Sequence, residues 1–267
     1  MQKMSDDRKE KLILEIKRKV GILTLNNGDL NVFDTEFIYL VRDALKQLKN
    51  DQKANVILIK SASDRAFSAG FDLKSISQVN QEIIDIFLKD GYEILELLHF
   101  MPKPVISLIN GYSIGVGFLF PLACEFRFCT KDAKFQLPEV NFGDLMFPTH
   151  GGCTTLPRVV SKLSDAYYIA MTGERIDAET ALKMGVIDRM FETKEEMLKQ
   201  GFEFAKLIAS KSPMLIGMIK AAIRKNLNSS IADGFALERE GYDIIRNAQD
   251  PNREEKKDKF IEKNIKG

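Results

Sequence analysis

Lys103-Pro104-Val105-Ile106-Ser107-Leu108-Ile109-Asn110-Gly111-Tyr112-Ser113-Ile114-Gly115-Val116-Gly117 is the stretch that decides the fold. Pro104 breaks whatever precedes it. Val105 to Ile109 is a short apolar run of the kind found in a strand buried on both faces of a parallel sheet. Asn110-Gly111 is a turn signal. Gly115-Val116-Gly117 then opens an apolar helix through Ala123. No charged residue occurs from Pro104 to Cys124, a length that could cross a bilayer. The turn in its middle and the glycines at 111, 115 and 117 argue instead for strand, turn and helix in a protein core.

The same grammar extends to both sides. Leu12 to Lys17 and Val20 to Leu25 alternate as half-buried strands. Asn26 to Asp29 is a turn. Asp34 or Thr35 caps a helix to about Leu48, with Phe37, Val41, Leu45 and Leu48 on one face. Val56 to Ile59 is another buried strand, followed by a glycine-containing loop and a helix over Gln81 to His99. Downstream, Phe126 to Cys129 and Lys134 to Gln136 read as strands. Gly151 to Val160 and Leu163 to Met171 read as helices. Val186 to Arg189 reads as a lone strand. Helices then dominate: Ala178 to Met184, Lys194 to Ser210, Met214 to Asn226, Ile231 to Asn247 and a charged tail. The expected class is therefore α/β with a helical C-terminal region.

Composition sets bounds. The profile, 45% hydrophobic and 29% charged over 267 residues, is that of a globular chain able to bury a core without staples. A net charge of +1 with no basic-aromatic stripe gives no reason to expect nucleic acid or an anionic membrane as partner. Cys124, Cys129 and Cys153 have no paired or ligand-like spacing, so neither a disulfide framework nor a metal site is expected. Met1 to Asp7 is polar and lacks a signal-peptide core, which points to the cytoplasm.

Three segments could carry chemistry. Phe67-Ser68-Ala69-Gly70-Phe71-Asp72-Leu73 follows a buried strand, and its small residues let a ligand approach the backbone. Asn110 to Gly117 follows another and opens a helix, where unpaired N–H groups suit developing negative charge. Glu139, after Pro138 in a charge-poor stretch, is a candidate general base.

Together these pieces resemble the crotonase (enoyl-CoA hydratase/isomerase) superfamily. The likeness runs from about Leu12 to Lys263. It rests on the order of an F-S-A-G-x-D-L loop, a K-P-V-I-x-x-x-N-G-x-x-x-G-x-G segment and a P-E-x-x-x-G segment. Ala170 to Ile176 and Ala181 to Asp188 also match. The resemblance implies a spiral of ββα turns over residues 1–200 and a helical trimerisation region over 201–267, assembled as a homotrimer or hexamer. It implies an acyl-CoA thioester as substrate and no separate cofactor. The N–H groups of Phe71 and Val116 would hold the thioester oxygen, with Ala69, Gly70 and Gly115 lining the site. Val116 stands where glycine is common, which narrows the site. Lys74 would approach a coenzyme A phosphate.

One departure from the family pattern matters. Many hydratases of the family use two glutamates. Glu139 matches the second, but Leu119 occupies the first position. A lone base suffices to move a double bond, so the expectation is 3-enoyl to 2-enoyl isomerisation. The alternatives are a single-glutamate hydratase or hydratase-lyase and a non-catalytic acyl-CoA binder. Against a feruloyl-type lyase, Ile76 stands where those enzymes place a tyrosine. The acyl pocket is expected to include Phe71, Val79, Phe118, Leu119 and Phe147. His150 and Asp144, in an unusually long loop, are further candidates for contact with substrate.

Overall fold

The computed structural model describes residues 11–72, 81–248 and 253–264. Its larger sheet contains β1 (Leu12–Lys17), β2 (Val20–Leu25), β3 (Val56–Ser61), β5 (Val105–Ile109), β7 (Phe126–Thr130) and β10 (Arg189–Phe191), in the order β1-β2-β3-β5-β7-β10. β1 and β2 form an antiparallel hairpin, and every later neighbour is parallel.

Alternation along the strands explains their apolar runs. Ile57, Ile59, Val105 and Ile109 join a core that includes residues of α1 (Thr35–Asn50) and α2 (Gln81–Phe100). Val56, Leu58, Ile106 and Leu108 join a second core with Met197, Ala205 and Ala209 of α7 (Lys194–Ala209). A strand with both faces covered needs apolar residues at every position. Asp34 caps α1 as expected, accepting from the Phe37 N–H.

There is a second, smaller sheet, of which local sequence pattern shows only Lys134 to Gln136. It consists of β4 (Ala66–Ser68), β6 (Tyr112–Ile114), β8 (Lys134–Gln136) and β9 (Ile176–Asp177), in that order. Each of β3, β5 and β7 hands the chain to its short successor β4, β6 or β8. Helix α2 follows β4 in the chain, α3 (Val116–Leu122) follows β6, and a 3-10 turn (Glu139–Leu145) follows β8. This is a spiral of ββα turns, with the loops between the small sheet and the helices at one end.

Three readings need correction. Val186 to Arg189 is not a lone strand: β10 starts at Arg189 and pairs in parallel with β7. Gly151 to Val160 is not one helix, because turns fill its first half and α4 spans only Leu156–Val159. The division expected after residue 200 falls inside α7, which packs on the sheet as a single helix. The compact unit runs instead to Gly217, and a second, helical unit covers Met218–Gly267. Between α4 and α7 lie α5 (Leu163–Thr172) and α6 (Ala178–Lys183). The C-terminal helices are α8 (Pro213–Asn226), α9 (Ile231–Asn247) and α10 (Arg253–Asn264). No described helix is long and apolar enough to cross a membrane.

Candidate active site

The Ser68 loop is held by its own polar atoms. Ser68 Oγ donates to the Asn31 carbonyl at 2.8 Å and accepts from the Gly70 N–H at 3.1 Å. Asn31 is fully buried and sends Nδ2 to Ser61 Oγ at 2.8 Å and to the Phe67 carbonyl at 3.1 Å. Phe33 then bridges the loop: its N–H donates to Gly70 O at 2.8 Å, and its carbonyl accepts from Asp72 N at 3.1 Å. In a parallel bridge of this kind the residue between the two bonds, Phe71, turns its own N–H away from the partner strand.

The second loop meets the first backbone to backbone. Gly70 has φ +87°, and its Cα faces the Ile114 carbonyl. Gly115 N donates to Gln136 O at 3.0 Å, which ties β6 to β8. The first bonds of α3 come from Phe118 and Leu119 to Gly115 O. Val116, as its first residue, has no intrahelical acceptor for its N–H.

Glu139 opens the turn after β8. Gln136 Nε2 and Asn141 Nδ2 both donate to the Gly173 carbonyl, at 2.8 and 3.2 Å, and so brace that turn against the end of α5. The Glu139 carboxylate faces Gly115: Oε1 is 3.5 Å from where a Cβ on that glycine would lie. Oε2 is buried without a hydrogen-bond partner. Burial pushes the carboxyl up to about 7, because removal from water disfavours the charged form. A pocket of about 100 Å³ joins Glu139 to Ala69, Gly70, Phe71, Gly115 and Val116. Among the described residues that line it, Glu139 is the one carboxylate. Among the described residues no cluster of His, Cys, Asp and Glu could hold a metal ion.

Residues 15–265 match the family model described as enoyl-CoA hydratase/isomerase. The chain belongs to the enoyl-CoA hydratase/isomerase family. It is 27% identical to a crotonyl-CoA hydratase of Syntrophomonas wolfei, over 95% of this chain and 99% of that one. It is 30% identical to a carnitinyl-CoA dehydratase of Salmonella arizonae, over 85% of this chain and 87% of that one. The crystal structure of an enoyl-CoA hydratase from Bacillus anthracis superposes with a TM-score of 0.87 at 26% identity, covering 95% and 96% of the two chains. The crotonase fold is thereby shown. Enzymes of the enoyl-CoA hydratase/isomerase family act on acyl-CoA thioesters.

Within this family member the expected site residues divide. Glu139, Phe71, Val116, Ala69, Gly70 and Gly115 come together at one pocket. Leu119 and Phe118 do not: each is 1% exposed and packs in the main core. Phe147 is 69% exposed and lies outside the pocket lining. Asp144 is exposed as well. Lys74, Ile76 and Val79 lie outside the described residues.

His150 is buried behind Phe71 and does not line the pocket. Burial pushes its imidazole down to about 4, so the ring is neutral. Sequence reasoning missed Phe142 and Met146 as lining residues. The signal for Phe142 was its spacing, one 3-10 turn after Glu139, which puts both side chains on one side.

Proposed function

We propose that this enzyme moves the double bond of a 3-enoyl-CoA thioester to the 2-position. The observation that carries the reading is the solitary carboxylate: Glu139 lines the pocket, while Leu119, in the position of a second acid, is packed in the core. The thioester oxygen accepts hydrogen bonds from the N–H groups of Phe71 and Val116. Ionised Glu139 removes a proton from the carbon beside the carbonyl, and the electron pair spreads over the oxygen and the adjoining double bond. The protonated Glu139 returns the proton two carbons further along, leaving the 2-enoyl thioester. A carboxyl raised to about 7 suits both halves of this shuttle. Coenzyme A enters as part of the substrate, and no separate cofactor is needed.

A second reading, hydration, is favoured by the names of the relatives, a crotonyl-CoA hydratase among them. Glu139 would then deprotonate a water that adds to the double bond. Turnover of 3-hexenoyl-CoA and crotonyl-CoA by the purified protein separates the two. Isomerisation of the first supports the proposal. Hydration of the second without isomerisation overturns it, and binding without turnover of either would leave an acyl-CoA binder.

Self-association as a trimer or hexamer belongs to the same proposal. It is supported by Ile231, Phe235, Tyr242 and Ile244 on α9, each at least half exposed. Light scattering that gives a monomer mass would remove it.

A further inference from the structure

Two local rules are broken at one point behind Phe71. Gly91 lies inside α2, where glycine weakens a helix. His150 has φ +50°, a left-handed conformation uncommon for residues with a Cβ. The two meet: a Cβ on Gly91 would stand 2.6 Å from His150 Nε2. The helix lacks a side chain where the imidazole enters, and the imidazole enters from a strained backbone. Residues that their surroundings hold in uncommon backbone conformations are candidates for a functional role.

The hydrogen bonds fix what the ring can do. Nε2 lies 3.0 Å from the Phe87 carbonyl, which can only accept, so Nε2 carries the proton. Nδ1, at 2.7 Å from Thr149 Oγ1, then accepts the hydroxyl proton. Both nitrogens are engaged, and the ring is not among the pocket-lining residues. Tyr92 stacks on the ring at 4.6 Å, and its hydroxyl accepts the His150 backbone N–H at 3.3 Å. Phe71 also meets this assembly, 5.2 Å from the imidazole edge-on and 4.6 Å from Phe87.

The peptide between Gly70 and Phe71 is tied to Phe33 through Gly70 O, and the packing of the Phe71 ring adds a second hold on its tilt. We propose that His150 is a positioning residue: with Phe87 it clamps the Phe71 ring, and through the ring it holds the Phe71 N–H in line with the thioester oxygen. This rests on the reading of Phe71 as a backbone donor to the thioester. Donors to a developing oxyanion act only when aligned, and a displacement of about 1 Å can reduce rate about 10²-fold.

Two variants test it. His150→Asn tolerates the left-handed backbone but has no ring, and its amide, lying where Nδ1 does, falls short of the Phe87 carbonyl. Gly91→Ala keeps His150 and favours the helix, while pressing a methyl group on Nε2. The readouts are kcat and KM for 3-hexenoyl-CoA, the pH–rate profile, and the absorption red shift of hexa-2,4-dienoyl-CoA on binding. That shift reports polarisation of the thioester carbonyl. In both variants kcat should fall about 10- to 10²-fold with KM changed less than about threefold. The red shift should shrink, and the pH midpoint should stay where it is in the wild type. A full red shift in both variants overturns the proposal, as does a displaced pH midpoint, which would make the imidazole a proton-transfer group. Absence of a red shift in the wild type overturns the underlying reading of the donors instead.

Discussion

Gly70 and Ile114 touch backbone to backbone: a Cβ on Gly70 would stand 2.7 Å from the Ile114 carbonyl oxygen. The parallel pairing of β4 with β6 brings these loops together. Gly117 repeats the contact, since a Cβ there would run into the Ser68 carbonyl oxygen. The two donors, Phe71 and Val116, are thus spaced by main chain pressed on main chain.

Gly117→Ala tests this interlock. Helix propensity alone favours alanine by about 1 kcal/mol. The methyl group would meet the Ser68 backbone, which cannot swing aside as a side chain can. The expected net result is destabilisation by about 1–3 kcal/mol together with loss of turnover. Urea denaturation and a 3-hexenoyl-CoA assay check both, and a variant more stable than wild type would show that the loops are not locked.

Glu139 sets the pH dependence. It must be ionised to take the proton, and burial raises its pKa to about 7. The rate kcat/KM should therefore rise with pH through about 7 and level off above it. Glu139→Gln should lose about 10²- to 10⁴-fold in kcat, keep its affinity for coenzyme A, and lose this limb of the profile. A limb centred in the ordinary carboxylate range would mean that the base is solvated in the working enzyme.

The sequence disclosed the large sheet because its physics is local. β3 and β5 are covered on both faces, so they read as unbroken apolar runs. The small sheet was less legible: β4, β6 and β8 have three residues each, too few for periodicity, and of these only Lys134 to Gln136 reads as a strand in the sequence. Glu139 stood out as a charge in a charge-poor stretch. Sequence alone cannot separate Leu119 and Phe118 from pocket residues, because α3 is buried on every side and no polar stripe tells which face meets the pocket. The place of His150 is hidden for another reason. Its left-handed backbone turns the ring back onto α2, which spacing along the chain does not reveal.

Restoring a glutamate at the first family position should fail here. Leu119 is 1% exposed among apolar neighbours. Leu119→Glu would bury a carboxyl without a partner, a change expected to destabilise by about 3 kcal/mol or more. The variant should show a lower Tm and gain no hydration of crotonyl-CoA. A stable variant that hydrates crotonyl-CoA would show that this side chain reaches the pocket.

The same burial that tunes Glu139 should weaken the fold at high pH. Its carboxyl is raised from the ordinary 4.5 to about 7. Between those values the folded chain holds a proton that the unfolded chain has released, so stability falls as pH rises. The contribution is fully present below 4.5 and lost as pH passes 7. Well above 7 the buried charge costs on the order of 3 kcal/mol, which a neutral amide of the same shape avoids. Glu139→Gln should therefore be more stable than wild type in alkaline buffer, and the advantage should vanish toward the ordinary carboxylate pKa. Urea midpoints of the two proteins across a pH series measure it. A difference of constant size, or one that grows toward acid, would mean that something other than burial of this charge governs the comparison.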